Sequence, residues 1–183
     1  MEITNCTAKD IDTIFEFYDA AIAYQKTKFY KHWQGFEKSL IEKEIRENRQ
    51  YKIVVDGSIV CIFAITFNDP VIWGEKDKDP AMYIHRIVTH PAFRGNNCVK
   101  NIVDWAVDFG SKHAIQFVRL DTWGDNQKLI SHYTNCGFTF LGISEKISDE
   151  TLPKHYDCIS LSLFEIVIKD WKKMNKPGER EGA

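Results

Sequence analysis

The chain of 183 residues has no Cys-x-x-Cys pair, no internal repeat or low-complexity tract, and no excess of charge of either sign. Its five cysteines (Cys6, Cys61, Cys98, Cys136 and Cys158) are odd in number and widely spaced, so neither a disulfide framework nor a zinc site follows from them. They read as reduced thiols packed as small apolar residues, as in a cytoplasmic protein. Lys plus Arg (24) nearly balances Asp plus Glu (26). With no global field to draw in nucleic acid or an anionic membrane, any phosphate site must be local. No window approaches the ~20 apolar residues of a membrane span. The opening MEITNCTAKDID lacks the basic-then-apolar pattern of a secretory signal.

What is present is ordinary for one globular domain: 44% hydrophobic and 27% charged residues in a length that supports a full core. Glu2–Thr4 reads as a short strand. Ile11, Ile14, Phe15, Tyr18 and Ile22 recur at the helical spacing of three and four, and a second helical stretch runs from Phe36 to Asn48. Tyr51–Val55 and Ile59–Phe67 are strand-like runs joined by Asp56-Gly57, a strong hairpin signal. Residues 68–80 read as a polar loop, followed by a strand over Met82–Thr89 that His90-Pro91 stops. A helix is expected from Cys98, a strand over Phe117–Thr122, and a helix over Gln127–Asn135 closed by Gly137. Two final apolar runs, Phe138–Ile147 and Tyr156–Ile168, precede a polar tail. The pattern is α/β with a mixed sheet, in one domain over residues 1–168 with a peripheral tail over 169–183.

The most informative stretch is residues 84–106, IHRIVTHPAFRGNNCVKNIVDWA. A strand ends, Pro91 turns the chain, and Arg94-Gly95-Asn96-Asn97 leads into a helix at Cys98 and Val99. A helix N-terminus offers unpaired N–H groups to a pyrophosphate, and Arg94 adds a forked cationic donor. This segment resembles motif A of the GNAT superfamily of N-acetyltransferases, a strand and proline turn followed by Arg/Gln-x-x-Gly-x-Gly/Ala. Arg94 matches, while Asn97 and Val99 replace the two glycines. Asn97 is able to hold the backbone path, since Asn tolerates φ > 0. Val99 has no such excuse, and is expected to crowd the phosphate or shift the helix.

Residues 119–138, RLDTWGDNQKLISHYTNCGF, resemble motif B of the same superfamily. Asn126 and Tyr133 are seven apart and share a helical face. The resemblance covers roughly residues 1–165 and implies the GNAT fold, a mixed and mostly antiparallel central sheet flanked by helices. It implies acetyl-CoA as cosubstrate and no metal. Arg94 to Val99 and the backbone of Ile87, Val88 and Thr89 would hold the cofactor, Asn126 would contact its pantetheine arm, and Tyr133 would protonate the departing thiolate. From the residues alone Tyr133 also reads as a core aromatic, and Asn126 or Asp125 as a helix N-cap.

The general base stays open between His85, where some members of the family carry a histidine, Asp121, where others carry a glutamate, Tyr83 on the face of His85, and water. His85 reads equally as a half-buried strand residue, and Asp121 as a partner for Arg119. The acceptor pocket implied by the family falls on Phe29, Tyr30 and Trp33, with Tyr83 as a further acceptor contact, Trp73 as a further wall and His155 in the loop before the last strand. The expected acceptor is an amine-bearing small molecule or amino group, with neither nucleic acid nor membrane as partner. The resemblance also admits a homodimer paired through the final strands. A different class of function, a GNAT-like ligand-binding or interaction module without efficient catalysis, rests on Asn97 and Val99.

Overall fold

Among the described residues seven strands form one sheet, in the order β1-β2-β3-β4-β5-β7-β6. The computed structural model describes residues 1–28, 32–146 and 159–174. The chain runs β1 (Glu2–Asn5), α1 (Ile11–Lys28), α2 (Lys38–Arg46), β2 (Gln50–Val55), β3 (Ser58–Thr66), α3 (Pro70–Trp73) and β4 (Ala81–Thr89). It continues with α4 (Cys98–Lys112), β5 (Phe117–Trp123), α5 (Gln127–Asn135), β6 (Thr139–Ile143), β7 (Leu161–Val167) and α6 (Ile168–Met174). No helix among the described residues is long and apolar enough to cross a membrane.

Strand alternation divides the core into two layers. Cys61, Phe63 and Ile65 of β3 pack with Ile102, Val103 and Ala106 of α4. Ile62, pointing the other way, packs with Ile14 and Tyr18 of α1 and Ile41 of α2. The β2–β3 hairpin turns at Asp56 and Gly57 with φ of 49° and 77°, the left-handed pair that a tight hairpin favours.

Every neighbouring pair of strands is antiparallel except β4 and β5. That parallel pair is short: it joins Ala81 to Phe117, Met82 to Val118 and Tyr83 to Arg119, and no further. Both strands continue beyond it, so they diverge, and the sheet opens on one side of this junction. Arg119 secures the junction. Its side chain is 1% exposed. It donates to Glu165 of β7 at 2.7 Å, to Asp79 at 2.6 Å and to the Lys76 carbonyl at 2.5 Å. Its guanidinium also lies over the rings of Trp73 and Phe117, 5.0 and 4.7 Å from their centroids.

Two expectations change. Residues 68–80 are not a plain loop: they hold α3 and a 3-10 turn over Gly74–Lys78, because Ile72 and Trp73 bury beside Tyr83 and Leu161. The tail is not peripheral where it is described, since α6 packs Ile168 and Trp171 into the α4 side of the core. The reason is local. Gly137, at φ 103°, ends α5 in the left-handed conformation, and a Cβ there would overlap the ring of Trp171. The first part of the expected 156–168 run and residues 175–183 lie outside the described residues.

Arg119→Met should lower the unfolding free energy by ~3–5 kcal/mol, because it leaves the Glu165 carboxylate buried without its partner. Chemical denaturation measures this, and adding Glu165→Gln should recover part of the loss; an unchanged midpoint in Arg119→Met would deny the junction its clamp.

Candidate functional site

A cavity of about 550 Å³ opens where β4 and β5 part. Ile84–Ile87 of β4 and Leu120–Trp123 of β5 form its sides, and Asn126, Leu129 and Tyr133 close one end. Trp33, Phe36, Glu44 and Arg49 form another wall, with Asn68, Asp69 and Ile72 beside them.

β4 does not reach this cavity as a regular strand. Ala64 pairs with His85 and Ile62 with Val88, so two residues of β4 stand opposite Phe63 alone. The extra residue is Arg86, at φ 51°, which makes a β-bulge. The bulge breaks alternation. Ile84 and Ile87 both face the α4 core, while the consecutive side chains of His85 and Arg86 both reach the cavity.

His85 stands between two carboxylates, Asp69 Oδ2 at 3.6 Å from Nε2 and Asp121 Oδ1 at 4.0 Å from Nδ1. Asp69 is 10% exposed and Asp121 only 3%. Burial, and then the charges of Arg86 and Arg49, push the His85 pKa down to about 3, so the ring is neutral. Burial and the neighbouring Asp121 push Asp69 up to about 7. Its Oδ2 has no hydrogen-bond partner among the described residues. One ligand atom from each of Asp69, His85 and Asp121 lies within 4.8 Å of the others, the one group among the described residues that converges enough to hold a cation. Asp69 was not singled out from the sequence. Its only mark there is its place before Pro70, ahead of a helical turn.

Beyond the bulge, Arg86 donates to Glu44 at 2.5 Å and to the Tyr18 hydroxyl at 3.2 Å. Arg49 lies 3.7 Å from Glu44 and donates to Glu47 at 2.5 Å and to the Ile65 carbonyl at 3.2 Å. Neither arginine was anticipated, since nothing in the sequence marks a bulge at position 86.

Tyr133 lines the cavity on the α5 side, its ring held against Phe164 and Phe138 at centroid distances of 5.3 and 6.1 Å. Burial first, and then the charge of Asp121, raises its pKa, so the phenol keeps its proton. Asn126 caps α5: its Oδ1 accepts from the N–H groups of Lys128 and Leu129 at 3.2 and 3.3 Å. It lines the cavity as well, with its amide NH₂ still able to donate.

The turn before α4 keeps the backbone path expected of it. Gly95 has φ 88° and Asn97 φ 54°, both left-handed. Among the described residues no side chain caps α4, and its first N–H groups, Cys98 to Lys100, have no intrahelical partners, as at any helix start. Val99 is 8% exposed: its side chain is buried in the protein. Arg94 rests over the ring of Tyr24, 4.4 Å from its centroid.

Of the proposed acceptor residues, Trp33 lines the cavity, in edge contact with Tyr18 and Phe36. Tyr83 does not: it is 1% exposed, packs on Trp73, and takes a bond from Arg119 at 3.4 Å. The wall expected of Trp73 is supplied by Asp69 and Ile72, with Trp73 itself buried behind them. Arg119 pairs with Asp79 and Glu165, where Asp121 was the partner read from the sequence. Phe29, Tyr30 and His155 lie outside the described residues.

The sequence model of the acetyltransferase (GNAT) family matches residues 15–138. The uncharacterized N-acetyltransferase YesJ of Bacillus subtilis (strain 168) is 30% identical over 77 residues, which cover 40% of this chain and 41% of that protein. An acetyltransferase of the GNAT family from Listeria monocytogenes 4b F2365 superposes with a TM-score of 0.71 at 21% identity, over 91% of this chain and 94% of its own. The yncA protein of Salmonella typhimurium, solved with its cofactor acetyl-CoA, superposes with a TM-score of 0.66 at 10% identity, over 100% of this chain and 99% of its own.

The raised pKa of Asp69 has a sign that thermal melts can read. The folded protein holds that proton up to about pH 7, whereas the ordinary carboxyl releases it near 3.8. Folding stability therefore falls as pH rises across that interval and stays lower above it. Asp69→Asn should raise Tm on the order of 5 °C at pH 8 and far less at pH 4.5; an equal change at both pH values would refute the shift.

Proposed function

This chain belongs to the acetyltransferase (GNAT) family, and we propose that it is an N-acetyltransferase passing the acetyl group of acetyl-CoA directly to a primary amine. The observation that carries this reading is that one cavity, at the parting of β4 and β5, brings the protonated phenol of Tyr133 together with two carboxylates and a neutral imidazole. The three N–H bonds of an ammonium match the three acceptors of Asp69, His85 and Asp121. A 550 Å³ cavity suits a small-molecule acceptor.

The pyrophosphate would lie on the α4 N-terminus beside Arg94, Gly95, Asn96 and Asn97. The backbone of Ile87, Val88 and Thr89 and the amide of Asn126 would hold the pantetheine arm. The left-handed Asn97 and the buried Val99 support binding there and weaken the case for a module without catalysis.

The seated ammonium gives up one proton to the cluster, and Asp69 is the acceptor best matched to neutral pH. The nitrogen lone pair then attacks the thioester carbonyl, the C–N bond forms, the nitrogen releases its second proton to water, and the C–S bond breaks. Tyr133, raised in pKa, delivers its proton to the thiolate and regains one from solvent.

Calorimetric titration with acetyl-CoA tests the premise: no heat at millimolar cofactor would sink it. Tyr133→Phe should lower kcat on the order of 100-fold with little change in acetyl-CoA affinity. The rate of the parent protein should fall as pH drops below about 7, where Asp69 takes up its proton. That limb should vanish in Asp69→Asn and persist, moved to lower pH by loss of the neighbouring charge, in Asp121→Asn; a limb untouched by Asp69→Asn would return the role of base to His85 or water.

A further inference from the structure

The cavity is charged unequally along its length. At one end lie Asp69 and Asp121 on either side of His85. At the other lie two guanidinium groups, Arg49 and Arg86, with side chains only 19% and 15% exposed. Between them stands one buried carboxylate, Glu44, at 5% exposure. The closer partner of Arg49 is Glu47, whose Oε2 accepts from Nε at 2.9 Å and from Nη2 at 2.5 Å, but Glu47 is 44% exposed and stands outside the cavity lining, where water weakens its charge. Counted at this end of the cavity lining, two cations face one anion. Arg86 commits Nε to Tyr18 and Nη2 to Glu44, and its Nη1 has no partner among the described residues.

The bulge sets these two ends close together. His85 and Arg86 are consecutive, yet both side chains reach the same cavity, because the left-handed Arg86 breaks the strand's alternation. In a regular strand one of the two would face the α4 core. The charges of Arg86 and Arg49 are near enough to His85 to help hold its ring neutral. A ligand bearing only an ammonium would leave the residual positive charge unmatched in a desolvated wall, at a cost. A diamine would bring its second cation against that wall. An anionic group a few bonds from the amine matches both ends at once.

Resting on the amine-acceptor reading above, we propose that the acceptor is a small zwitterion of the amino-acid type, its ammonium among Asp69, His85 and Asp121 and its carboxylate on Arg49 and Arg86. Trp33 and Phe36, which line the wall beyond Arg86, form the apolar surface for its side chain.

Binding and turnover separate this from the reading it rests on. The common L-amino acids are titrated calorimetrically into the protein saturated with coenzyme A, and each one that binds is compared with its decarboxylated amine (leucine with isoamylamine, phenylalanine with phenethylamine). At least one amino acid should bind about tenfold or more tightly than its amine, the margin that a hydrogen bond between charged groups supplies. Arg49→Gln should remove most of that preference and Arg49→Lys keep part of it, with Tm reporting that both variants fold. An amine that binds as well as its amino acid, a preference that survives Arg49→Gln, or no binding by any amino acid overturns the proposal. Amino acids that bind through Arg49 without coenzyme A release from acetyl-CoA uphold the zwitterion site and sink the transfer reaction instead. Amines acetylated as readily as amino acids do the reverse.

Discussion

The short parallel contact between β4 and β5 is the constraint on which the rest of the structure depends. Three residue pairs join the strands, and Arg119 holds the last of them by ion pairs to β7 and to the segment after α3. Everything chemical lies just past that point, where two strands no longer bond to each other and their edges face a cavity. A buried arginine is costly unless its bonds are complete. Here its donors reach Glu165, Asp79, Tyr83 and the Lys76 carbonyl, so the cost is offset at the place where the sheet must stop pairing.

A second departure from regularity, the bulge at Arg86, determines what the cavity contains. It allows one strand to contribute a neutral imidazole and a guanidinium side by side, with hydrophobic residues on either side of them turned to the core. The imidazole then stands against acids from β5 and from the start of α3, while the guanidinium turns to Glu44 on α2. The site is thus assembled from elements far apart in the chain. Its electrostatics follow from burial more than from the number of charges: the same Asp69 in water would hold no proton at neutral pH.

Much of this was legible in the sequence, and the parts that were not share a cause. Strands and helices with clear periods fell where their spacing placed them, and Asn126 and Tyr133 line one cavity as their seven-residue separation required. The left-handed Asn97 was legible because few residues tolerate that conformation. Asp69 and Arg86 were not, since their importance comes from tertiary neighbours and a bulge that leaves no mark in residue spacing. Trp171 was missed for a related reason. Its segment is polar on average, and one indole seated over Gly137 outweighs that average.

The place of β7 has a consequence for the order in which the protein becomes competent. Although next to last in the chain, this strand lies between β5 and β6 in the sheet, supplies the Glu165 that completes Arg119, and leads straight into the helix that covers the end of α5. During synthesis, β5 therefore has an unpaired edge and Tyr133 an unsupported helix until residues 161–174 have left the ribosome. A nascent chain long enough to contain every residue that lines the cavity still lacks the strand that pairs with β5. Shortening the chain from its C-terminal side would reach the supports of the cavity well before it reached any residue that lines it.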